Sequence, residues 1–241
     1  MSANFDIFTL VFLVLAVVII LKLRSVLGRR SGEDDARIER FKAQERARAA
    51  AQDKVVAMPR RGRTEAAPEA PVAEAKPDAE AKVRSFAAGD EAVTTGLLAI
   101  HRADPTFDPE TFLKGARQAY EMIVTAFAEG NRKTLKGLLS REVFDGFATA
   151  ITERESRGEQ IDQSFVGINK ADVMEAELKK GVAQISVKFV SELFTATRDK
   201  AGVVVAGDPN KNREVIDIWT FARDATSRDP NWKLIATQAP N

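Results

Sequence analysis

The sequence predicts an α+β domain, helices on one face of a twisted antiparallel sheet, carried behind an N-terminal transmembrane helix and a disordered linker. Three features point to it: a charge-free run at the start, a Pro- and Ala-rich tract before residue 85, and a change of apolar spacing after Gln160. Before that point large apolar residues recur every three or four positions, as on a helix; after it they alternate, as on a strand.

The charge-free run spans Ile7 to Leu21 (IFTLVFLVLAVVIIL), and Lys22, Arg24, Arg29 and Arg30 follow directly behind it. Extended to Phe5 and Leu23 it is a helix of roughly 19 residues, long enough at about 1.5 Å per residue for a hydrocarbon core of about 30 Å. A cleavable signal peptide carries its basic residues ahead of the apolar run and a small-residue cleavage site behind it. Here the order is reversed, so a retained anchor is expected, with its N-terminus outside and the remainder at the cytoplasmic face of a bacterial inner membrane, or in the matrix of a mitochondrion. The four basic residues are also the candidates for contact with anionic headgroups, each contributing about 1 kcal/mol near the surface, although orientation of the anchor alone accounts for them.

Four regions follow from composition: the anchor and its basic flank (1–30), a charged juxtamembrane helix (31–58), a linker (59–84) and a globular domain (85–241). From Glu33 to Lys54 acids and bases balance, and Ile38 and Phe41 are the large apolar side chains, the pattern of a solvated helix without coiled-coil heptads. The linker holds Pro59, Pro68, Pro71 and Pro77 among Ala and Glu and has no aromatic residue, so it buries too little to offset its ordering entropy. As a flexible coil it reaches roughly 30 Å, which lets the domain roam beneath the membrane.

In the globular region Asp90 is the expected N-cap of a first helix, carrying Val93, Leu97, Leu98 and Ile100 and ended by Asp104-Pro105. Asp108 and Pro109 open the next, whose face holds Phe112, Ala116, Tyr120, Ile123 and Phe127 before Gly130. A short helical piece through Leu135, Leu138 and Leu139 precedes a helix capped by Ser140, with Val143, Phe144, Phe147 and Ile151 on its face and Gly158 at its end. Beyond Gln160, Ala183, Ile185, Val187 and Phe189 alternate with Gln184, Ser186 and Lys188, so one face of that strand is buried. Turns are expected at Lys180-Gly181, at Asp199 to Gly202, at Asp208-Pro209-Asn210 and at Asp229-Pro230-Asn231, with further strands over Val215–Phe221 and Trp232–Thr237.

Composition narrows function. The 241 residues are 44% hydrophobic and 29% charged with a net charge of +1, so no basic footprint for nucleic acid is present. Without cysteine there is no disulfide, thiolate metal site or thiol nucleophile. His101 is the single histidine, and it stands beside Arg102 at a helix end, where imidazolium suits the helix dipole better than it suits catalysis. No cofactor is expected.

The run Phe107 to Tyr120 (FDPETFLKGARQAY), Ala128-Glu129-Gly130-Asn131, Trp219 to Asp224 (WTFARD) and Asp229 to Leu234 (DPNWKL) resemble the C-terminal domain of mitochondrial import translocase subunit forty-four, over about Ser85 to Pro240. Bacterial relatives called TimA share that domain, and their anchor-plus-linker layout is similar. The resemblance implies a cone-shaped fold like that of nuclear transport factor two, with helices cupping a curved sheet around an apolar pocket. It also implies a non-enzymatic adaptor that binds acidic phospholipid such as cardiolipin and recruits a protein partner, here unidentified. The mitochondrial protein has a long N-terminal region where this chain has an anchor and tether, so membrane scaffolding carries over and import-motor function does not.

In such a cone Phe127, Phe144, Phe147, Phe189, Trp219, Phe221 and Trp232 are the candidate pocket lining, for lipid or peptide; the same spacing also suits a plain aromatic core. A rival reading, a cone-fold enzyme or carrier for a small apolar ligand, needs a buried carboxylate, and Asp172 and Asp217 are the two candidates.

Overall fold

Side-chain caps set the helix starts of this protein. In the structure, a computed structural model that describes residues 38–47, 77–87 and 89–239, the Asp90 carboxylate accepts the N–H groups of Ala92 and Val93 at the start of α3 (Glu91–Ala103). Asp108 accepts from Thr111 at 2.8 Å and Pro109 is the first residue of α4 (Pro109–Ala128). Asn131 and Ser140 do the same for α5 (Arg132–Leu138) and α6 (Arg141–Arg157). Gly130 and Gly158 follow α4 and α6 with φ of 70° and 69°, the left-handed backbone that glycine takes without a steric cost.

Four antiparallel strands follow in chain order, β1 (Gln160–Lys179), β2 (Val182–Arg198), β3 (Val204–Asp224) and β4 (Lys233–Gln238). Lys180 and Gly181, at φ 50° and 79°, make the two-residue turn between β1 and β2, whose twist matches that of the strands. Ala183, Ile185, Val187 and Phe189 are fully buried beneath the helices, as their alternation predicts. The helices lie close: a Cβ on Gly96 of α3 would fall 1.8 Å from the carbonyl oxygen of Ala176 in β1, so only glycine fits there. Ser140 N–H donates to Leu234 O at 2.8 Å and ties the α5–α6 junction to β4.

The structure differs from expectation in three places. Asp208-Pro209-Asn210 does not separate strands; β3 runs through it, and the pairing jumps from Leu193 opposite Arg213 to Thr195 opposite Asp208, so the surplus residues loop out as a bulge. Proline lacks the N–H a ladder needs, and the Asp208 carboxylate takes the Asn210 N–H locally instead. The end of the expected linker is helical, α2 (Pro77–Phe86), because Val83 is buried in the core while Lys82 and Glu80 pair with Asp108 and Arg102. The helix at 38–47, α1, is not solvated all round: Ile38 and Phe41 are 1% and 7% exposed, packed with Val182, Ala222 and Ile235 on the sheet face opposite the other helices.

Among the described residues no helix is long and apolar enough to cross a membrane. The run Ile7 to Leu21, the basic residues Lys22, Arg24, Arg29 and Arg30, and the linker up to residue 76 lie outside the described residues.

Candidate aromatic site between helices and sheet

Tyr120 stands at the centre of the inner face. The helical spacing of α4 aims it at the sheet, where its ring stacks on Phe189 at 4.6 Å and meets Trp219 at 4.5 Å between centroids. Trp219 and Phe221 project from β3 beside Phe189, and Phe221 meets Phe112 of α4 edge-on at 6.2 Å. Trp232, just before β4, packs 4.6 Å from Phe112 and 6.0 Å from Phe107. Phe189, Trp219, Phe221 and Trp232 therefore form one continuous aromatic cluster. Phe127 and Phe147 make a separate edge-to-face pair at 5.1 Å, and Phe144 is half-buried against the core on the same helix as Phe147.

Polar groups are placed sparingly around these rings. The Tyr120 hydroxyl donates to Asp217 Oδ2 at 2.7 Å and lies 2.8 Å from Ser191 Oγ, which is fully buried. Asp217 stands opposite Phe189 in the sheet register, which turns its carboxylate towards the helical side. Burial pushes its pKa above the usual carboxylate range, and the Tyr120 hydrogen bond offsets part of that rise. Burial and the neighbouring Asp217 charge likewise raise the phenol. The rings of Tyr120, Phe189 and Trp219 pack against one another on the same side of the sheet. Asp172, the other candidate base, is on the outer side and pairs with Lys170 at 2.8 Å.

A second polar pair closes the cluster below Trp232. Arg223 and Asp104 form an ion pair with side chains 11% and 12% exposed, and the guanidinium carbon lies 5.3 Å from the Trp232 ring centroid. Burial works against the Asp104 carboxylate, but the hydrogen bonds from Thr106 and Arg223 outweigh it and hold its pKa low. Arg154 of α6 donates to the carbonyls of Phe127 and Ala128, the last turn of α4, and covers the Phe127 ring at 5.4 Å. His101 is buried, with Nδ1 3.0 Å from Phe107 O, so it ties the α3–α4 connection.

Two surface hollows of about 280 and 270 Å³ flank the outer side of α4. The first is lined by residues from Glu121 to Thr134, the second by Arg117, Gln118, Glu121 and the β1 segment Phe165 to Ile168; neither includes any of the seven predicted lining residues. Among the described residues no three His, Asp or Glu side chains converge as a metal site would need.

The roles of Tyr120, Ser191, Arg154 and Arg223 were not singled out from sequence. Their partners lie far away along the chain: Tyr120 and Asp217 are 97 positions apart, and Arg223 and Asp104 are 119. A buried hydroxyl on an otherwise apolar strand face, at Ser191, is the one local signal of a polar contact there.

The model of the Tim44-like domain matches residues 93–239, the stretch that contains this cluster and the whole sheet. The chain belongs to the Tim44-like domain family. Human mitochondrial import inner membrane translocase subunit TIM44 is 25% identical over 146 residues, 59% of this chain and 32% of its own length. An uncharacterized protein of Rickettsia prowazekii is 24% identical over 143 residues, covering 59% of this chain and 58% of that protein. This Tim44-like chain thus spans about a third of the length of its human relative. The intermembrane space region of the chloroplast protein ARC6 overlays 56% of the chain with a TM-score of 0.35 and 12% identity, too little to assign a fold.

Proposed function

We propose that the protein is a non-enzymatic adaptor, anchored in a bacterial inner membrane by Ile7 to Leu21, whose Tim44-like domain recruits a protein partner at the cytoplasmic face. The observation that carries this reading is the family match over residues 93–239, since the human relative bears the name of an inner-membrane translocase subunit. The basic flank of Lys22, Arg24, Arg29 and Arg30 supports contact with acidic phospholipid. Within the adaptor reading the domain is cone-shaped, with Phe127, Phe144, Phe147, Phe189, Trp219, Phe221 and Trp232 as the lining for a lipid chain or an apolar peptide.

Capture from crosslinked membranes tests the adaptor. A reproducible protein partner is expected with the full chain and lost when residues 85–241 are deleted; recovery of nothing above background with the full chain overturns it. Washing membranes at alkaline pH tests the anchor separately, the chain being expected to remain in the pellet.

Asp217 favours a second reading, a small-ligand enzyme or carrier, because a carboxylate with a raised pKa suits general acid–base work. That reading requires room for a ligand beside the carboxylate. Native mass spectrometry of the purified chain tests it: a bound small molecule displaced by Asp217→Asn supports it, and ligand-free protein counts against it.

A further inference from the structure

The outer face of the sheet carries a small apolar floor made by Val182 of β2, Ala222 of β3 and Ile235 of β4, distinct from the main core. It is covered by α1, a helix whose remaining surface is charged: Glu39, Arg40 and Arg46 are exposed. Ile38 and Phe41, three positions apart, supply the cover. Polar ties at the rim fix its direction: Lys42 donates from Nζ to Lys180 O in the β1–β2 turn, and Arg141 N–H donates to Gln44 Oε1 at 3.3 Å. Two side chains on a five-residue cluster are a far smaller attachment than the continuous core beneath the other helices.

We infer that this floor is a receptor for a short amphipathic helix, and that α1 is its resident, displaceable occupant. The partner class it fits is a helix bearing two large apolar side chains three apart on one face, with charge elsewhere. This names the kind of partner for the adaptor proposed above and rests on that reading; the seating of α1 does not. A competing helix takes the place of α1 on the floor. Attachment of α1 within the same chain raises its local concentration, so a competitor succeeds only when presented nearby or when it fits the floor better.

The natural absence of cysteine makes thiol labelling in the full, detergent-solubilised chain a direct test. Ala222→Cys places a thiol under α1, Val166→Cys places one at an exposed site, and Ala183→Cys places one in the main core. Ala222→Cys is expected to react with maleimide at least tenfold more slowly than Val166→Cys. Adding Ile38→Asp and Phe41→Asp should bring the two rates within about threefold while Ala183→Cys stays unreactive, and excess of a synthetic peptide of residues 33–50 should restore the protection. A peptide carrying both Asp substitutions must not re-protect the opened chain. A rate at Ala222→Cys indifferent to the α1 substitutions overturns the inference, as does an opened floor that the peptide fails to protect. Should the doubly substituted chain label at Ala183→Cys, the milder Phe41→Ala chain takes its place, and an Ala222→Cys rate there no faster than in the parent overturns the inference. Failure of membrane capture alone would remove the adaptor and leave these rates unchanged.

Discussion

The two faces of the sheet are covered by helices in different ways. On the inner face Tyr120, Phe189, Trp219 and Phe221 belong to one core that takes residues from all five helices from α2 to α6, and the ion pair of Asp104 and Arg223 closes the edge of that layer. On the outer face one helix rests on Val182, Ala222 and Ile235 through Ile38 and Phe41. Percent exposure alone hides this difference, since Phe41 and Phe112 are about equally buried, at 7% and 6%. What differs is cooperativity: a residue whose removal opens the whole core costs global stability, whereas one that holds a single helix costs at most the free energy of seating that helix.

The largest effect should come from the inner face. Phe221→Ala is expected to lower unfolding free energy by about 4 kcal/mol, read from denaturant midpoints, because a ring packed against Phe112, Phe189 and Trp219 leaves a cavity. Next, Asp104→Ala should cost about 3 kcal/mol by stranding the Arg223 guanidinium in a nearly dry site, and adding Arg223→Met should recover most of that loss. Phe41→Ala, though its side chain is buried as deeply, should change global stability by less than about 1 kcal/mol and instead speed amide exchange at Val182 and Ala222. Equal global losses for Phe41→Ala and Phe221→Ala would erase the distinction between the faces.

The smallest effect is a pH dependence centred on Asp217. Its pKa is raised in the folded state, so the folded chain binds that proton more tightly than the unfolded chain does. The associated stability is present below the ordinary carboxylate value of about 4 and is lost as pH rises through the raised folded value. Asp217→Asn keeps an acceptor for the Tyr120 hydroxyl without the charge and should flatten the pH profile in that window. Asp108 runs the other way: Lys82 and the Thr111 N–H hold its pKa at about 2. Its contribution is present above about 4 and fades as acid carries the pH towards that value. Measuring stability from pH 2 to 7 in the parent chain and in Asp217→Asn separates the two.

Elements governed by near neighbours were legible in the sequence. Asp90, Asp108, Ser140 and Gly158 act within three or four residues of where they stand, so cap and helix announce each other. Lys180-Gly181 is likewise local. Asp208-Pro209-Asn210 misleads because a turn signal inside a long strand and one between two strands look alike until the partner strand is known; here Thr195 and Leu193 of β2 keep pairing on both sides of it. Val83 and α1 are hidden for a related reason: a helix with one or two apolar residues is read as solvated unless a receiving surface is in view, and for α1 that surface, Val182, Ala222 and Ile235, lies more than a hundred positions downstream. Of the candidate site, the aromatic residues were visible by type and spacing. The Tyr120–Ser191–Asp217 contact was not, since no local pattern joins a tyrosine on α4 to an aspartate on β3.

The order of the sheet bears on how the chain acquires its shape during synthesis. Each strand pairs with the one translated just before it, so β1, β2 and β3 close as successive hairpins over short loops, the fast kind of β assembly. The contact between Ser140 and Leu234 reverses that economy. Leu234 is fully buried and belongs to the last described strand to leave the ribosome, so the α5–α6 junction stays unlatched from the sheet until β4 has emerged. A chain ending before Lys233 and held clear of the ribosome by a C-terminal spacer should therefore form its hairpins while the Ser140 N–H, without Leu234 O to receive it, exchanges with solvent.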